Sequence, residues 1–305
     1  MEKVLITGAN GLLGQKCAAQ LTSDYQITGI DIQDNLYIQN KKVEYFKVDI
    51  TKRNDVKKTI LSFLPHYIVN TAAYTNVDGS ETNREICWKV NVEGVQNLVY
   101  GASKVGAKII HISTDYVFDG KNGPYKETDI PNALGYYGKS KLAGENVLIR
   151  SDVEFTILRT MILYGTGTNL RPNFVTWLID QLKNEKKITI VNDQFGNPTL
   201  ADELARAIKR VLDLEKWDIY HVSGSEIIDR YNFALKVADV FKLNKDLISP
   251  ITTAEFNQTA VRPLRSGFIL DKVKKELALD LLNIDESLKI LAKQMTKSTL
   301  LQWFT

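Results

Sequence analysis

Short apolar runs rich in Val and Ile alternate with amphipathic helical stretches from the first residues to about residue 160, and few folds accept that rhythm. The runs are Val4–Thr7, Gln26–Asp31, Val43–Val48, Tyr67–Asn70, Lys108–Ser113 and Phe155–Thr160. Between them lie helical patterns such as Leu12–Leu21, Asp55–Phe63 and Ile86–Val105. Strands that are apolar throughout and separated by helices predict βαβ units around a buried parallel sheet. Right-handed crossovers make that sheet doubly wound, a Rossmann-type α/β fold. After Leu163 the rhythm loosens into a loop at Gly165–Pro172, a helix at Phe174–Leu182, a strand at Ile188–Val191 and a loop at Asp193–Thr199. A helix at Leu200–Leu214, a strand at Ile219–Val222 and a helix at Tyr231–Phe241 follow, then closing helices at Lys272–Leu277 and Asp285–Leu291. The expected organisation is a dinucleotide-binding part at 1–163, with 193–222 returning to it. A smaller α/β substrate-binding part is expected from 164–192 and 223–305. Ligands of such sheets sit beyond the carboxyl ends of the strands, so a cleft between the two parts is expected.

Charge and composition exclude several classes. The 305 residues carry 39 basic and 36 acidic side chains, a net charge of +3, which offers no footprint for nucleic acid. No run approaches the roughly 18–20 apolar residues of a membrane span. Met1-Glu2-Lys3 leads straight into a strand with no signal-peptide pattern, so the cytosol is the expected compartment. Cys17 and Cys87 lie in apolar helical stretches and form no metal-type pair; with three scattered histidines, no metal site is expected.

The first chemical signal is Thr7-Gly8-Ala9-Asn10-Gly11-Leu12-Leu13-Gly14, a GxxGxxG turn between a strand and a helix. Glycines there allow a tight turn, close approach of a pyrophosphate to backbone N–H groups at the helix start, and close helix–sheet packing. Asp31 ends the second strand 17 residues after Gly14, about where an acid meets ribose hydroxyls. A carboxylate there repels a 2′-phosphate, and no Arg occurs within Ile32–Asn40. NAD(H) is therefore favoured, with NADP(H) the second choice; the competing reading makes Asp31 a simple turn residue. Asp49-Ile50 ends the third run and can flank an adenine ring. Asn70-Thr71-Ala72-Ala73 ends the fourth with small residues that permit close ligand approach.

The second signal is Tyr137-Gly138-Lys139-Ser140-Lys141, a Tyr-x-x-x-Lys at a helix start, whose ends share one helix face. A free tyrosine titrates near 10, and a neighbouring ammonium is expected to lower that value. Tyr136 has Ser140 four residues on, so Tyr137 is the better acid/base candidate. Ser113 and Thr114 end the fifth strand; from spacing alone either hydroxyl could support an oxygen gaining charge.

Taken together, these residues resemble the extended short-chain dehydrogenase/reductases. More narrowly, His111-Ile-Ser-Thr-Asp-Tyr-Val-Phe-Asp-Gly120, Tyr137-Gly-Lys-Ser-Lys-Leu-Ala-Gly-Glu145, Arg159-Thr160 with Leu163-Tyr164-Gly165, Asp193-Gln-Phe-Gly-Asn-Pro-Thr199 and Arg262-Pro263 resemble the dTDP-4-dehydrorhamnose reductase family. The resemblance runs through essentially the whole chain. It implies a catalytic set of Thr114, Tyr137 and Lys141, and NAD(P)H-dependent reduction of a 4-keto-6-deoxy nucleotide sugar. Cofactor contacts would come from Gly8, Asn10, Gly11, Leu12, Leu13, Gly14, Asp31, Asp49, Ile50, Ala72, Ala73, Tyr74 and Asn91, with Tyr137 and Lys141. Substrate contacts would come from Thr75, Val117, Phe118 and Arg262, and the family-level expectation is a homodimer. Arg171, Arg262 and Arg265 are candidates for the nucleotide's diphosphate. Two departures bear on the sugar: Met161-Ile162-Leu163 stands where such reductases carry a Trp, and Leu134-Gly135-Tyr136 where an Asn is frequent. Two other functions fit the same pattern: a nucleotide-sugar epimerase or dehydratase, and a non-catalytic regulatory subunit resembling that of methionine adenosyltransferase.

Overall fold

The computed structural model describes residues 1–302 apart from Gln39 and Lys41, with side chains to Thr296. In chain order the first part comprises β1 (Lys3–Thr7), α1 (Leu12–Leu21), β2 (Gln26–Asp31), β3 (Val43–Lys47), α2 (Arg53–Phe63), β4 (Tyr67–Asn70), α3 (Val77–Thr82), α4 (Arg84–Trp88) and α5 (Gly94–Val105). Then come β5 (Lys108–Thr114), α6 (Tyr136–Ile149), β6 (Phe155–Thr160), β7 (Leu163–Tyr164), α7 (Phe174–Lys183), β8 (Ile188–Val191), β9 (Phe195–Gly196), β10 (Thr199–Leu200) and α8 (Ala201–Leu214). The remainder is β11 (Ile219–His221), β12 (Ile228–Asp229), α9 (Arg230–Val240), β13 (Ile248–Ile251), α10 (Thr253–Phe256), α11 (Asp271–Leu277) and α12 (Ile284–Gln302).

Seven parallel strands form the central sheet in the order β11-β6-β5-β4-β1-β2-β3. The order reverses between β1 and β4, so their carboxyl ends face a crevice at a topological switch point. Alternation along the strands supplies both faces. Val4 and Ile6 point into a core with α1, α8 and α11, while Leu5 points into another with α2, α5 and α6. A third core joins α7, α9 and α12 over the two-stranded pair β13-β8. The strand at Ile219–His221 adds to the sheet edge beside β6, and α8 packs against α1.

Some expectations change in detail. The stretch read as one helix at Ile86–Val105 is broken by a π-helical turn at Lys89–Glu93, where the Gly94 N–H reaches back to the Lys89 carbonyl. Such single-turn widenings recur at functional sites, and this one carries Asn91. The loop expected at Asp193–Thr199 contains β9 and β10, which pair with β12 and β7. Helix α3 was not expected; Asn76 caps it by accepting from the Gly79 N–H at 2.9 Å. Strand β13 carries Pro250 and lies in a two-stranded pair, where a missing N–H is tolerated. The last three residues of the expected 223–305 part lie outside the described residues.

Helix α6 is tied to β6 by a buried fork. Arg159 donates through Nε and Nη2 to the two oxygens of Glu145, at 2.9 and 2.7 Å, with side-chain exposures of 3% and 0%. Removing one partner strands a charge away from water, so Glu145→Ala should cost about 3–5 kcal/mol in urea-monitored unfolding. A loss below about 1 kcal/mol would mean that Arg159 finds water instead.

Candidate active site

At the amino end of α1 the glycine turn is built for close approach. Gly8 has φ of +65°, and a Cβ there would lie 2.9 Å from Ala72 backbone. A Cβ on Gly14 would lie 2.2 Å from the Gly8 carbonyl oxygen, so only hydrogen fits between helix and turn. Gly11 is exposed and extended at the N-cap, donates its N–H to the Gly8 carbonyl at 2.9 Å, and supplies no side-chain cap. The first N–H groups of α1, from Leu12, Leu13 and Gly14, have no intrahelical acceptors, and no acid sits in that turn. An uncapped helix start with a glycine cradle fits a pyrophosphate.

Asp31 lies directly beside this turn. One carboxylate oxygen accepts from the Asn10 N–H at 3.0 Å, the other from the Ile32 N–H at 2.7 Å. Asn10 in turn holds the loop after β2, accepting from the Tyr37 N–H and donating to the Asn35 carbonyl. Asp49 accepts from the Thr51 N–H at the end of β3, and the buried Ile50 packs beside Gly94 of α5. After β4, Ala72 donates its N–H to the Thr7 hydroxyl, Ala73 and Tyr74 are half-buried, and Thr75 is exposed. Buried Asn91 braces that loop: it accepts from the Tyr74 N–H and donates to the Tyr74 carbonyl and the Ser140 hydroxyl, at 2.9, 3.1 and 2.9 Å.

Two more glycines let α6 settle here: Cβ atoms at Gly138 and Gly144 would lie 2.2 Å from the Tyr116 carbonyl and 2.5 Å from the Asn91 carbonyl. Tyr137 is half-buried, its ring edge-on to Tyr116 with centroids 5.5 Å apart. The expected lowering of its pKa by Lys141 is not what the structure shows. Burial pushes the phenol well above its usual value, the Asp115 charge adds to this, and the adjacent Thr114 hydroxyl opposes it. The reason is the direction of Lys141: its ammonium donates to the Ile112 carbonyl at 2.6 Å and lies 3.3 Å from His111 Nε2. Burial pulls Lys141 down to about 8, with Glu145 and Cys87 opposing.

The two strand-end hydroxyls are also distinguished. Thr114 donates to Asp115 at 3.1 Å and accepts from the Tyr116 N–H, whereas the buried Ser113 hydroxyl has no hydrogen-bond partner among the described residues. Burial pushes Asp115 up to about 6, opposed by the hydrogen bond from Thr114 and the charge of Arg230.

Other expected residues are placed differently. Val117 and Phe118 are 0% and 1% exposed; Phe118 stacks on Tyr125 at 4.2 Å, so both face the core and neither offers surface to a ligand. Arg262 is forked onto Asp78 at 2.6 and 3.0 Å, while Arg171 and Arg265 are exposed. Arg230, unnoticed in the sequence, starts α9; its N–H donates to the Gln194 carbonyl at 3.1 Å, and its guanidinium has no hydrogen bond or close ion pair among the described residues. Its guanidinium lies over Phe174 and lines a cavity of about 10 Å³, room for about one water, with Asp115, Tyr116, Ile162, Gln194, Phe195 and Ser266. Ile162 holds φ of +48°, a strained conformation for a β-branched residue, where the sequence departs from the reductase pattern. Phe195 also borders a groove of about 320 Å³ with Pro124, Ile227 and Arg265. Nothing in the sequence marks Arg230 except its place after Asp229, the residue that caps α9.

The profile of the RmlD substrate binding domain matches residues 1–297. This chain belongs to that family. It is 36% identical to the dTDP-4-dehydrorhamnose reductase of Aggregatibacter actinomycetemcomitans over 293 residues, 92% of this chain and 94% of the relative. It is also 34% identical to methionine adenosyltransferase 2 subunit beta of Bos taurus, covering 82% of this chain and 75% of that one. A crystal structure of dTDP-4-dehydrorhamnose reductase from Bacillus anthracis, in complex with NADP, superposes with a TM-score of 0.86 at 31% identity. That match covers 96% of this chain and 99% of the other.

Two binding measurements check the cofactor side of the cleft. Gly14→Val should abolish NADH and NADPH binding in a fluorescence titration while the fold persists by circular dichroism. Asp31→Ala should weaken NADH more than NADPH, by about tenfold or about 1.4 kcal/mol; an unchanged preference would remove Asp31 from the ribose site.

Proposed function

We propose that this chain reduces the 4-keto group of a 6-deoxy nucleotide sugar with NADH or NADPH, in the manner of dTDP-4-dehydrorhamnose reductases. The observation that carries the reading is the placement of Thr114, and of Tyr137 and Lys141 on the helix packed against β5, at the same sheet edge as an uncapped glycine turn, in a chain 36% identical to such a reductase along nearly its full length. Residues 1–163 with 193–222 would serve the dinucleotide, and 164–192 with 223–305 the sugar nucleotide. A cytosolic homodimer is part of the same reading.

A bound reduced nicotinamide supplies the hydride that the sugar carbonyl carbon accepts. Tyr137 gives its proton to the oxygen that becomes negative. The upward push on this phenol suits that direction, because it keeps the proton in place until an oxyanion forms beside it. Thr114 holds the same oxygen, exchanging its present hydrogen bond to Asp115 for one to the substrate. Lys141, its ammonium held by the Ile112 carbonyl and turned away from the phenol, keeps a positive charge for the ribose. Beside Asp115 and Tyr116, Arg230 has a guanidinium with no hydrogen bond among the described residues, a fork for an anionic group of the nucleotide sugar. Val117 and Phe118 would shape the cleft from the core behind it, and Arg262 through its fork with Asp78.

The test is nicotinamide absorbance after mixing the protein with NADH, or NADPH, and dTDP-4-keto-6-deoxy sugars. Stoichiometric oxidation is expected. Silence with every such sugar, despite dinucleotide binding, would favour the regulatory role suggested by the 34% identity to methionine adenosyltransferase 2 subunit beta. Tyr137→Phe should lower turnover by at least about 10²-fold with dinucleotide affinity kept, since the ring stays and only the proton donor goes.

A further inference from the structure

A chain of buried polar groups runs behind the site, from the glycine turn to Lys141. The Ala72 N–H donates to the Thr7 hydroxyl at 3.2 Å, and Thr7 Oγ1 lies 2.6 Å from Asn70 Oδ1. Asn70 Nδ2 lies 2.9 Å from His111 Nδ1, and His111 Nε2 lies 3.3 Å from Lys141 Nζ. All four side chains are at most 2% exposed. A neutral imidazole has one donor and one acceptor, and an ammonium can only donate. Burial, then the Lys141 charge, pushes His111 well below its usual range, so the ring is neutral. Against a charged Lys141, Nε2 must accept and Nδ1 must carry the proton. Asn70 must then turn its carbonyl to His111 and its amino group to Thr7, a half-turn of the amide. Against a neutral Lys141, the amide keeps its amino group toward His111.

We propose that His111 is a positioning residue for Lys141: it fixes one of the ammonium's three donors in β5, the Ile112 carbonyl fixes a second, and one is left for a ligand. The inference rests on the reading that Lys141 serves a bound dinucleotide, and it extends the site to the Asn70–Thr7 pair beneath the glycine turn. Among the described residues, the other titratable groups acting on Lys141 are Glu145 of its own helix and Cys87 of α4; Arg159 of β6 neutralises Glu145. Asp115, after β5, acts on Tyr137.

Two variants separate positioning from packing. His111→Asn keeps a polar atom near the Nδ1 place for Asn70 but offers Lys141 nothing; His111→Gln reaches the Nε2 place and keeps an acceptor for Lys141. Both remove the ring, so a packing penalty falls on both alike. The readout is the titration of Lys141 Cε by nuclear magnetic resonance in ¹³C-lysine-labelled protein, assigned with Lys141→Arg. An acceptor stabilises the ammonium, so its loss in His111→Asn should lower the midpoint by about one pH unit. The alkaline limb of turnover should fall with it and KM for NADH should rise. His111→Gln should restore all three. Equal shifts in both variants, or none in either, would overturn the proposal. A shift confined to His111→Asn in a protein that oxidises no NADH with 4-keto sugars would sustain His111's role and defeat the proposed reaction instead.

Discussion

Parallel pairing is the constraint from which everything else follows. Seven strands running one way bring all their carboxyl ends to one edge of the sheet. Crossover helices force that edge to be where loops meet ligands. Gly8 after β1, Asp31 at the end of β2, Ala72 after β4 and Thr114 at the end of β5 are distant in sequence, yet they share this edge because they end neighbouring strands.

Close backbone contact then sets positions within the edge. At Gly14 a helix touches a turn, and at Gly138 and Gly144 helix α6 touches the Tyr116 and Asn91 carbonyls. These contacts have no room for a methyl group, so α6 stands at one depth, with Lys141 against β5 and Tyr137 against Tyr116. The π-helical turn at Lys89–Glu93 belongs to the same arrangement. It carries Asn91, whose side chain bridges the loop after β4 to Ser140 of α6.

Burial dominates the electrostatics of the cleft more than any single charge pair. It raises Tyr137 and Asp115, lowers Lys141 and His111, and in each case is the leading cause. The exception is the fork of Arg159 and Glu145, where two charges leave water together and join α6 to β6. Burial of this kind favours the neutral form of each of these four groups.

By itself the sequence determined the alternation of strands and helices, the glycine turn, and the order of the strand-end acid, hydroxyl and Tyr-x-x-x-Lys. These signals are local: hydrophobic periodicity and turn chemistry act over a few residues and survive without knowledge of neighbours. Only the tertiary structure decided which way side chains turn once elements pack. It directed Lys141 to Ile112 and His111 rather than to the phenol, committed Arg262 to Asp78, and sealed Val117 and Phe118 in the core. It also brought Arg230 beside Asp115. Each of these depends on partners far away in the chain, 184 positions for Arg262 and Asp78, and no local pattern encodes such a pairing.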